Sequence, residues 1–390
     1  MSTQQQIVEK TRKYVIENYG RLPMAFARGA GAKIWDADGK EFIDFFAGFG
    51  GAGVAGHCHP AIVAALKHQA ETLLCHGNLY MSGPQADLAE MITRHAFGGK
   101  VFYCHSGAEA NEAALKLVRL AAGPGRYKII SFEKCFHGRT MGGLSLTPKD
   151  KQAGFEPMLP GNVMLPYNDL DAVANAIDAE TAGIFVEPIQ GEGGINMPSK
   201  AYMQGLRALC DKHKLLLVCD EVWTGPARTG RWFGYQYYDM APDVMTVAKA
   251  LGGGVPLAVC VAGPSCADVL TPGKHGCTMG GNPLCAAAGV ATMKLIEDED
   301  LVSRAAKKGA DVMAAIRAAN APCVKSVRGA GFMIGIEIDK PAKEVFNACM
   351  AAGLLIGSAG ASVLRLAPPL VIPDDLLAKG MDILIRALKQ

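Results

Sequence analysis

The sequence predicts an open, doubly wound α/β domain with a mostly parallel sheet, together with a smaller α+β domain. Short β-branched runs alternate with segments of helical periodicity through the middle of the chain, which is the pattern of strand–helix–strand units. Most of the strand runs are continuously apolar, as a parallel sheet covered on both faces requires. The pattern changes after about residue 300, where strands and helices no longer alternate regularly, and this change predicts the second domain.

The elements follow from these patterns in chain order. Near the N-terminus, Asp38 and Gly39 separate two apolar runs, and an Asp-Gly pair in that position favours a tight hairpin. Apolar runs predict the strands of the large domain at 101–104, 127–131, 183–187, 215–220, 244–247 and 257–262. Helical periodicity predicts helices over 109–120 and 202–212.

The last third of the chain predicts helices over 301–318 and 344–351 and strands near 324–327, 332–338 and 363–366. We therefore divide the chain into three parts. Residues 1–50 form a segment that contributes to the small domain, residues 51–300 form the large domain, and residues 301–390 form the C-terminal small domain.

Composition and charge exclude several classes of protein. The 390 residues carry 39 basic and 37 acidic side chains, a net charge of +2 that favours neither nucleic acid nor an anionic membrane as partner. The first six residues lack the pattern of a signal peptide, and the apolar runs are too short to cross a bilayer. We expect a soluble cytoplasmic protein.

The 12 cysteines include no Cys-x-x-Cys pair, and several lie inside predicted strands or helices, so we expect reduced, buried thiols. Cysteine and histidine adjoin one another at 57–59, 75–76 and 104–105. These spacings match no common zinc pattern, and we predict no metal site.

The turn at 104–111 joins a predicted strand to a predicted helix. Gly107 permits a close backbone approach, and the free N–H groups of the first helical turn form a site for phosphate. Ser106 serves either as the N-cap of the helix or as a phosphate ligand. The alternative is an ordinary capped helix without a ligand, because the turn is neither a Walker loop nor a dinucleotide fingerprint.

Asp220 and Lys249 follow apolar strands, where α/β folds place ligand contacts. A lysine held in a cleft before a glycine run is partly desolvated, loses its proton readily and forms a Schiff base. A carboxylate such as Asp220 suits a protonated heterocyclic nitrogen. The alternatives are a solvated lysine and a structural acid. Together with the phosphate turn, the two residues indicate a pyridoxal 5'-phosphate (PLP) site.

The motifs resemble those of the class III (ω-amino) aminotransferases of PLP-dependent transferase fold type I, and most closely the acetylornithine branch. The resemblance spans nearly the full chain. It rests on segments 106–111, 136–140, 187–194, 220–225, 275–283 and 363–369, and on Lys249.

The resemblance implies roles for individual residues. Lys249 is the catalytic residue, the covalent anchor of PLP and the general acid and base of the proton shift. The implied cofactor-binding residues are Ser106, Gly107, Ala108, Phe136, Asp220, Val222, Trp223, Lys249 and Thr278. The implied substrate-binding residues are Arg139, Glu192, Cys277 and Arg365. Thr278 reaches the phosphate of a neighbouring subunit in this family, which implies a homodimer with shared active sites.

The implied reaction converts N2-acetyl-L-ornithine and 2-oxoglutarate to N-acetyl-L-glutamate 5-semialdehyde and L-glutamate, a step of arginine biosynthesis. Arg139 holds the distal carboxylate of either substrate, and Glu192 pairs with Arg365 until glutamate requires that arginine. One alternative is a related enzyme acting on ornithine, succinylornithine or 4-aminobutyrate. The other is a catalytically idle PLP-fold protein.

The chain departs from the family pattern at five positions. Trp223 replaces a glutamine, and its indole N–H is able to donate the same bond to the cofactor. Cys277 replaces a serine and Ala108 replaces a threonine. Ala227 and Ala258 stand where glycine is frequent, and a positive φ at either costs about 1 kcal/mol.

Overall fold

The structure is a computed structural model that describes residues 3–390 of the chain. Its helices are α1 (Gln4–Tyr14), α2 (Pro60–Thr72), α3 (Gly83–His95), α4 (Gly107–Ala122), α5 (Met141–Ser145), α6 (Leu170–Ala176), α7 (Lys200–His213), α8 (Pro283–Asp298), α9 (Leu301–Ala318), α10 (Ala342–Ala351) and α11 (Asp374–Lys389).

The strands form three sheets. They are β1 (Phe26–Ala30), β2 (Lys33–Asp36), β3 (Glu41–Asp44), β4 (Lys100–Cys104), β5 (Lys128–Phe132), β6 (Asn162–Leu165), β7 (Thr181–Val186), β8 (Leu216–Asp220), β9 (Val244–Val247), β10 (Ala258–Ala262), β11 (Val324–Ala330), β12 (Met333–Ile338), β13 (Leu354–Leu355), β14 (Gly357–Ala359) and β15 (Val363–Leu366).

The large sheet has seven strands in the order β4-β10-β9-β8-β7-β5-β6. Only β10 runs antiparallel to its neighbours, so the sheet is mostly parallel, as predicted. Every residue of β7, β9 and β10 is buried, which explains why these strands are continuously apolar. Helices α4 and α7 both pack on this sheet.

The carboxyl ends of the parallel strands converge on one edge of this sheet. Strand β8 ends at Asp220, and Lys249 follows β9 after one residue. Strand β4 leads through Ser106 into α4. Parallel topology therefore brings residues that are far apart in sequence to one cleft, where open α/β sheets bind ligands.

Two four-stranded sheets, β1-β2-β3-β13 and β11-β12-β15-β14, complete the fold. The first joins the two ends of the chain, since β3 pairs in parallel with β13. The hairpin predicted at Asp38 and Gly39 is confirmed, because β2 and β3 pair antiparallel on either side of that turn. The domain boundaries at residues 50 and 300 stay a prediction.

Several observed elements are longer than predicted, and others, among them α2, α3, α8, α11 and β6, were not predicted. Strand β11 continues to Ala330 instead of ending at residue 327, and it pairs with β12 along its length. Gly329 lies inside this strand with φ 134°, a backbone conformation that residues with a side chain rarely adopt. No helix within residues 3–390 combines the length and apolar character that a membrane crossing requires.

Candidate active site

A cavity of about 500 Å³ opens at the carboxyl edge of the large sheet. It brings together ten of the residues predicted for the site. They are Ser106, Gly107, Ala108, Phe136, Arg139, Glu192, Asp220, Val222, Trp223 and Lys249. Three predicted residues, Cys277, Thr278 and Arg365, lie outside the lining of this cavity and are described below.

Lys249 enters the cavity from the short turn that follows β9. Its backbone lies in the left-handed region with φ 46°, which is uncommon for a residue with a side chain. The amine lies 5.3 Å from the ring centre of Trp223 and 5.5 Å from that of Phe49. Burial lowers the pKa of this amine, and the carboxylates of Asp220 and Glu192 partly oppose the shift. The lysine is therefore disposed to lose its proton.

Asp220 is buried at the end of β8 and receives three hydrogen bonds. Asn111 Nδ2 and His137 Nδ1 lie 2.8 Å from Oδ2, and the backbone N–H of Val222 donates to Oδ1 at 3.0 Å. Burial disfavours charge on the His137 ring, but nearby Cys135 and the bond to Asp220 raise its pKa well above its ordinary value. Hydrogen bonds of this kind stabilise the charged form of a buried carboxylate.

The network extends one step further. Thr246 on β9 donates to Asn111 Oδ1 at 2.8 Å, and Asn111 Nδ2 also donates to the backbone carbonyl of His137 at 2.9 Å. Neither Asn111 nor Thr246 was predicted as a site residue. The available signal was the polar type of each residue. Asn111 lies on an otherwise apolar face of its helix, and Thr246 lies in the apolar run 244–247.

The turn between β4 and α4 is a capping box. Ser106 Oγ accepts from the N–H of Glu109 at 3.3 Å, and Glu109 Oε2 accepts from the N–H of Ser106 at 2.9 Å. The structure thus gives Ser106 the N-cap role. The N–H groups of Gly107 and Ala108 begin the helix, where no intrahelical acceptor exists, and both residues line the cavity.

Gly107 also provides space. A Cβ added there would lie 2.8 Å from Cγ1 of Val222, closer than real side chains approach. Val222 and Phe136 both line the cavity beside the turn. The turn therefore combines free backbone donors with a narrow slot, an arrangement that suits a phosphate attached to a flat ring.

Trp223 corrects one expectation. Its indole N–H donates to the carbonyl of Gly48 at 2.8 Å, so it is not available to a ring oxygen of a cofactor. The ring instead forms a wall of the cavity and meets Phe46 and Phe49 edge-on, with ring centres 6.1 and 5.5 Å apart. A tryptophan at this position therefore supplies packing where the family pattern has a hydrogen-bonding amide.

The two predicted arginines differ in environment. Arg139 is exposed at the mouth of the cavity, 5.6 Å above the ring of Phe136, and no carboxylate within residues 3–390 forms an ion pair with it. Arg365 is buried, and its Nη1 donates to Glu192 Oε1 at 2.7 Å and to the carbonyl of Gly191 at 3.2 Å.

Arg365 lines a second cavity, of about 710 Å³, between α1 and the small sheets. The guanidinium lies 5.2 to 5.4 Å from the ring centres of Phe46, Phe49 and Trp223. Its Nε is buried and has no partner among the described residues. Glu192, which lines the first cavity, connects this arginine to it.

Cys277 and Thr278 lie on the loop before α8. Cys277 Sγ is 3.3 Å from His105 Nδ1, and Asn78 Nδ2 donates to the carbonyl of Cys277 at 2.9 Å. Thr278 is exposed and is not among the residues that line the cavity. Of the two alanines at glycine positions, only Ala227 has a positive φ, 62°.

Glu187 is a site residue that sequence reasoning missed. It is buried in the cavity wall and accepts from the N–H groups of Phe136 at 3.1 Å and Gly191 at 3.2 Å. Burial raises the pKa of this carboxyl to about 7. Glu187 thus holds together the segments that carry Phe136 and Glu192, and its position at the end of an apolar strand was the available signal.

Comparisons with known proteins find similar sequences and folds. The family model described as "Aminotransferase class-III" matches residues 14–388. The chain is 43% identical over 381 residues to the acetylornithine aminotransferase of Caldanaerobacter subterraneus, with 96% of each chain covered. It is 46% identical over 364 residues to that of Mycolicibacterium smegmatis, with 92% of each covered.

Solved structures resemble the fold closely. An ornithine aminotransferase from Toxoplasma gondii aligns with a TM-score of 0.95 and 33% identity, covering 100% of this chain and 95% of that one. Another structure of the same enzyme holds PLP at partial occupancy in its active site.

Proposed function

The chain belongs to the class III aminotransferases, and we propose that it transfers the side-chain amino group of N2-acetyl-L-ornithine to 2-oxoglutarate. The products are N-acetyl-L-glutamate 5-semialdehyde and L-glutamate, as in arginine biosynthesis. The observation that carries the proposal is the pair of arginines, one free at the cavity mouth and one covered by Glu192. Acetylornithine aminotransferases at 40–46% identity support the choice of substrate.

PLP is the cofactor that the family implies, and the cavity residues fit it. Lys249 offers an amine of lowered pKa, Asp220 offers a buried carboxylate, and the turn at Gly107 offers free N–H groups beside a slot that a Cβ would close. PLP supplies an electron sink that stabilises negative charge at the carbon losing its proton. Phe136 and Val222 would flank its ring.

Lys249 would hold the cofactor at rest and move a proton during turnover. Its Nζ lies in the cavity beside the rings of Trp223 and Phe49. A neutral amine accepts the proton from the substrate carbon and returns it to a neighbouring atom. Asp220, which is hydrogen-bonded by Asn111 and His137, would pair with the ring nitrogen of the cofactor and favour its protonated form.

The two arginines allow one cavity to accept two unlike substrates. Arg139 would bind the carboxylate at the far end of either substrate, since no carboxylate within the described residues 3–390 pairs with it. With acetylornithine bound, Glu192 neutralises Arg365. With glutamate bound, Glu192 must move aside so that Arg365 receives the α-carboxylate. The proposed switch is this exchange of partners.

Ornithine is the second candidate donor. The structural similarity to the ornithine aminotransferase of Toxoplasma gondii, with a TM-score of 0.95, supports this alternative. Acylated ornithine carries no charge on its α-nitrogen, whereas ornithine carries a positive charge there. The residues at the cavity rim that contact the α-nitrogen therefore determine which of the two donors is preferred.

Half-reaction kinetics of the purified holoenzyme test the proposal. The change in cofactor absorbance should be fastest with acetylornithine at equal concentrations of acetylornithine, ornithine, succinylornithine and 4-aminobutyrate. Lys249→Ala serves as the inactive control. A larger kcat/KM for any of the other three donors would overturn the assignment of substrate, and no change with any amine would overturn the activity.

We further propose a cytoplasmic homodimer with shared active sites. The exposed Thr278, which the family resemblance assigns to a neighbouring phosphate, supports the dimer. All twelve cysteines are free, as expected in a reducing compartment. Light scattering of the purified protein tests the dimer, and a monomeric mass for an active enzyme would refute it.

A further inference from the structure

Three side chains with metal-binding atoms meet at the rim of the cavity. His105 Nδ1 lies 3.3 Å from Cys277 Sγ and 3.3 Å from Glu109 Oε1. The three ligand atoms all lie within 4.8 Å of one another, the one such group of three among the residues that the structure describes. His105 and Glu109 come from one turn of chain, and Cys277 comes from the loop 172 residues after His105.

These distances match the edges of a zinc tetrahedron. Bonds of about 2.3 Å to sulfur and about 2.1 Å to nitrogen or oxygen place neighbouring ligands roughly 3.4 to 3.6 Å apart. Both measured edges differ from these values by only a few tenths of an ångström. The remaining edge, between Cys277 Sγ and Glu109 Oε1, is at most 4.8 Å long.

The ligand atoms are available without damage to the helix start. Glu109 Oε2 accepts from the N–H groups of His105 and Ser106, both at 2.9 Å, and so maintains the capping box. Glu109 Oε1 has no backbone donor and faces His105. One carboxylate therefore caps the helix with one oxygen and offers the other to a cation.

Charge and access also fit. A thiolate and a carboxylate supply two negative charges, which balance a divalent cation. All three residues are half-buried in the single chain. Three protein ligands leave the fourth position of a tetrahedral site open to water. Asn78 holds the loop in place through the carbonyls of Cys277 at 2.9 Å and Gly280 at 3.1 Å, so the thiol is positioned before a metal arrives.

The sequence spacings predicted no metal site, because Cys277 is distant from His105 in the chain. We propose instead that His105 Nδ1, Glu109 Oε1 and Cys277 Sγ bind one Zn²⁺ per chain, with one coordination position open. On binding, the Cys277 thiol releases its proton to solvent and sulfur bonds the metal. The site does not depend on which amine the enzyme uses. Its thiol comes from Cys277, at a position where the family resemblance implies a serine.

A bound metal would fasten the loop at Cys277 to the turn that begins α4. His105 lines the cavity and precedes Ser106, so the metal would sit at the cavity rim. We therefore expect Zn²⁺ to slow transamination reversibly, with recovery on addition of EDTA. This second consequence rests on the proposed activity, whereas binding itself does not.

Titration of the holoenzyme with metal tests the site. Calorimetry with ZnCl₂ should give one site per chain, and Co²⁺ should produce the near-ultraviolet charge-transfer band of a cobalt–thiolate bond. Cys277→Ser should abolish the band and weaken Zn²⁺ binding at least about tenfold, since even changes beyond the direct ligands commonly cost that much. Glu109→Gln should weaken binding while sulfur ligation, and thus the band, persists.

Cys58→Ser is the matched control, because Cys58 is exposed and lies between two histidines elsewhere in the chain. This variant should bind Zn²⁺ as the parent does. Binding that survives Cys277→Ser unchanged, a thiolate band lost in Cys58→Ser, or no binding at all would overturn the proposal. Circular dichroism of each variant separates loss of metal from loss of fold.

Discussion

Asn111 Nδ2, on helix α4, donates a hydrogen bond of 2.8 Å to Asp220 Oδ2, at the end of strand β8. Both side chains are buried. Because an ionised carboxylate in the interior needs donors, this amide and the ring of His137 replace the water that Asp220 loses on folding. This bond thus ties together the two elements that would hold opposite ends of the proposed cofactor.

Asn111→Ala should destabilise the protein by about 1.5 to 3 kcal/mol, the range for a hydrogen bond to a charged group. It also leaves the hydroxyl of Thr246 without its acceptor. Urea unfolding measures the change. Asn196→Ala is the control, since its amide donates only to the neutral oxygens of Gln190 and Gly193. Equal losses in the two variants would contradict the special role of the charged acceptor.

Arg139→Lys should raise KM about tenfold for both the amine donor and 2-oxoglutarate, with a smaller effect on kcat. A lysine keeps the charge but loses the paired N–H groups that match a carboxylate. Steady-state kinetics with each substrate varied in turn measure the effect. Arg231→Lys is the control, because Arg231 lies over the ring of Tyr237 outside the cavity. An increase for only one substrate would refute shared recognition.

Glu192→Ala should alter the balance of the two half-reactions. Because Arg365 is then free to bind a carboxylate, the ratio of the glutamate rate to the ω-amine rate should rise roughly three- to tenfold. This range is expected for loss of a partly exposed ion pair worth about 1 kcal/mol. Single-turnover rates with each donor give the ratio. Glu337→Ala breaks a comparable pair, Arg328–Glu337 at 2.7 Å, away from the cavity and should leave the ratio unchanged. An unchanged ratio in the Glu192 variant would rule out the switch.

The sequence was sufficient for residues whose setting is local. Lys249 and Asp220 each follow an apolar strand, and parallel topology then places both at one edge of the sheet. Contacts between segments that are distant in the chain could not be predicted from the sequence. The indole of Trp223 donates to Gly48, 175 residues away, and nothing near either residue indicates that bond. The roles of Asn111 and Thr246 were missed for the same reason. A single polar residue on an apolar face indicates a site only when its hydrogen-bond partner is known.

Ala227→Gly and Ala258→Gly should differ in their effect on stability by about 1 kcal/mol or more. Both alanines are fully buried, so each change loses one methyl group, worth about 0.8 kcal/mol. Only Ala227 has a positive φ, so glycine relieves about 1 kcal/mol of backbone strain there and none in strand β10. We expect the first variant to be near neutral and the second clearly destabilised in urea unfolding. Equal destabilisation would show that the backbone at 227 carries no such cost.

Covalent attachment of PLP to Lys249 in the apoprotein should accelerate as pH rises, with a midpoint below the ordinary lysine pKa of about 10.4. Burial lowers the pKa of Lys249, so its reactive neutral form is present at lower pH than for a solvated lysine. The same shift means that the folded apoprotein binds this proton less readily than the unfolded chain. Stability should therefore rise with pH between the folded and unfolded pKa values of this group.

Glu192→Gln sharpens the test. The Glu192 carboxylate raises the pKa of Lys249, so its neutralisation should move the midpoint of attachment to still lower pH. Glu337→Gln, which removes a carboxylate from a pair outside the cavity, should leave the midpoint in place. Stopped-flow absorbance of the cofactor over a pH series gives the midpoints. A midpoint at or above that of a free lysine, or a shift to higher pH in the Glu192 variant, would contradict the electrostatic account of this amine.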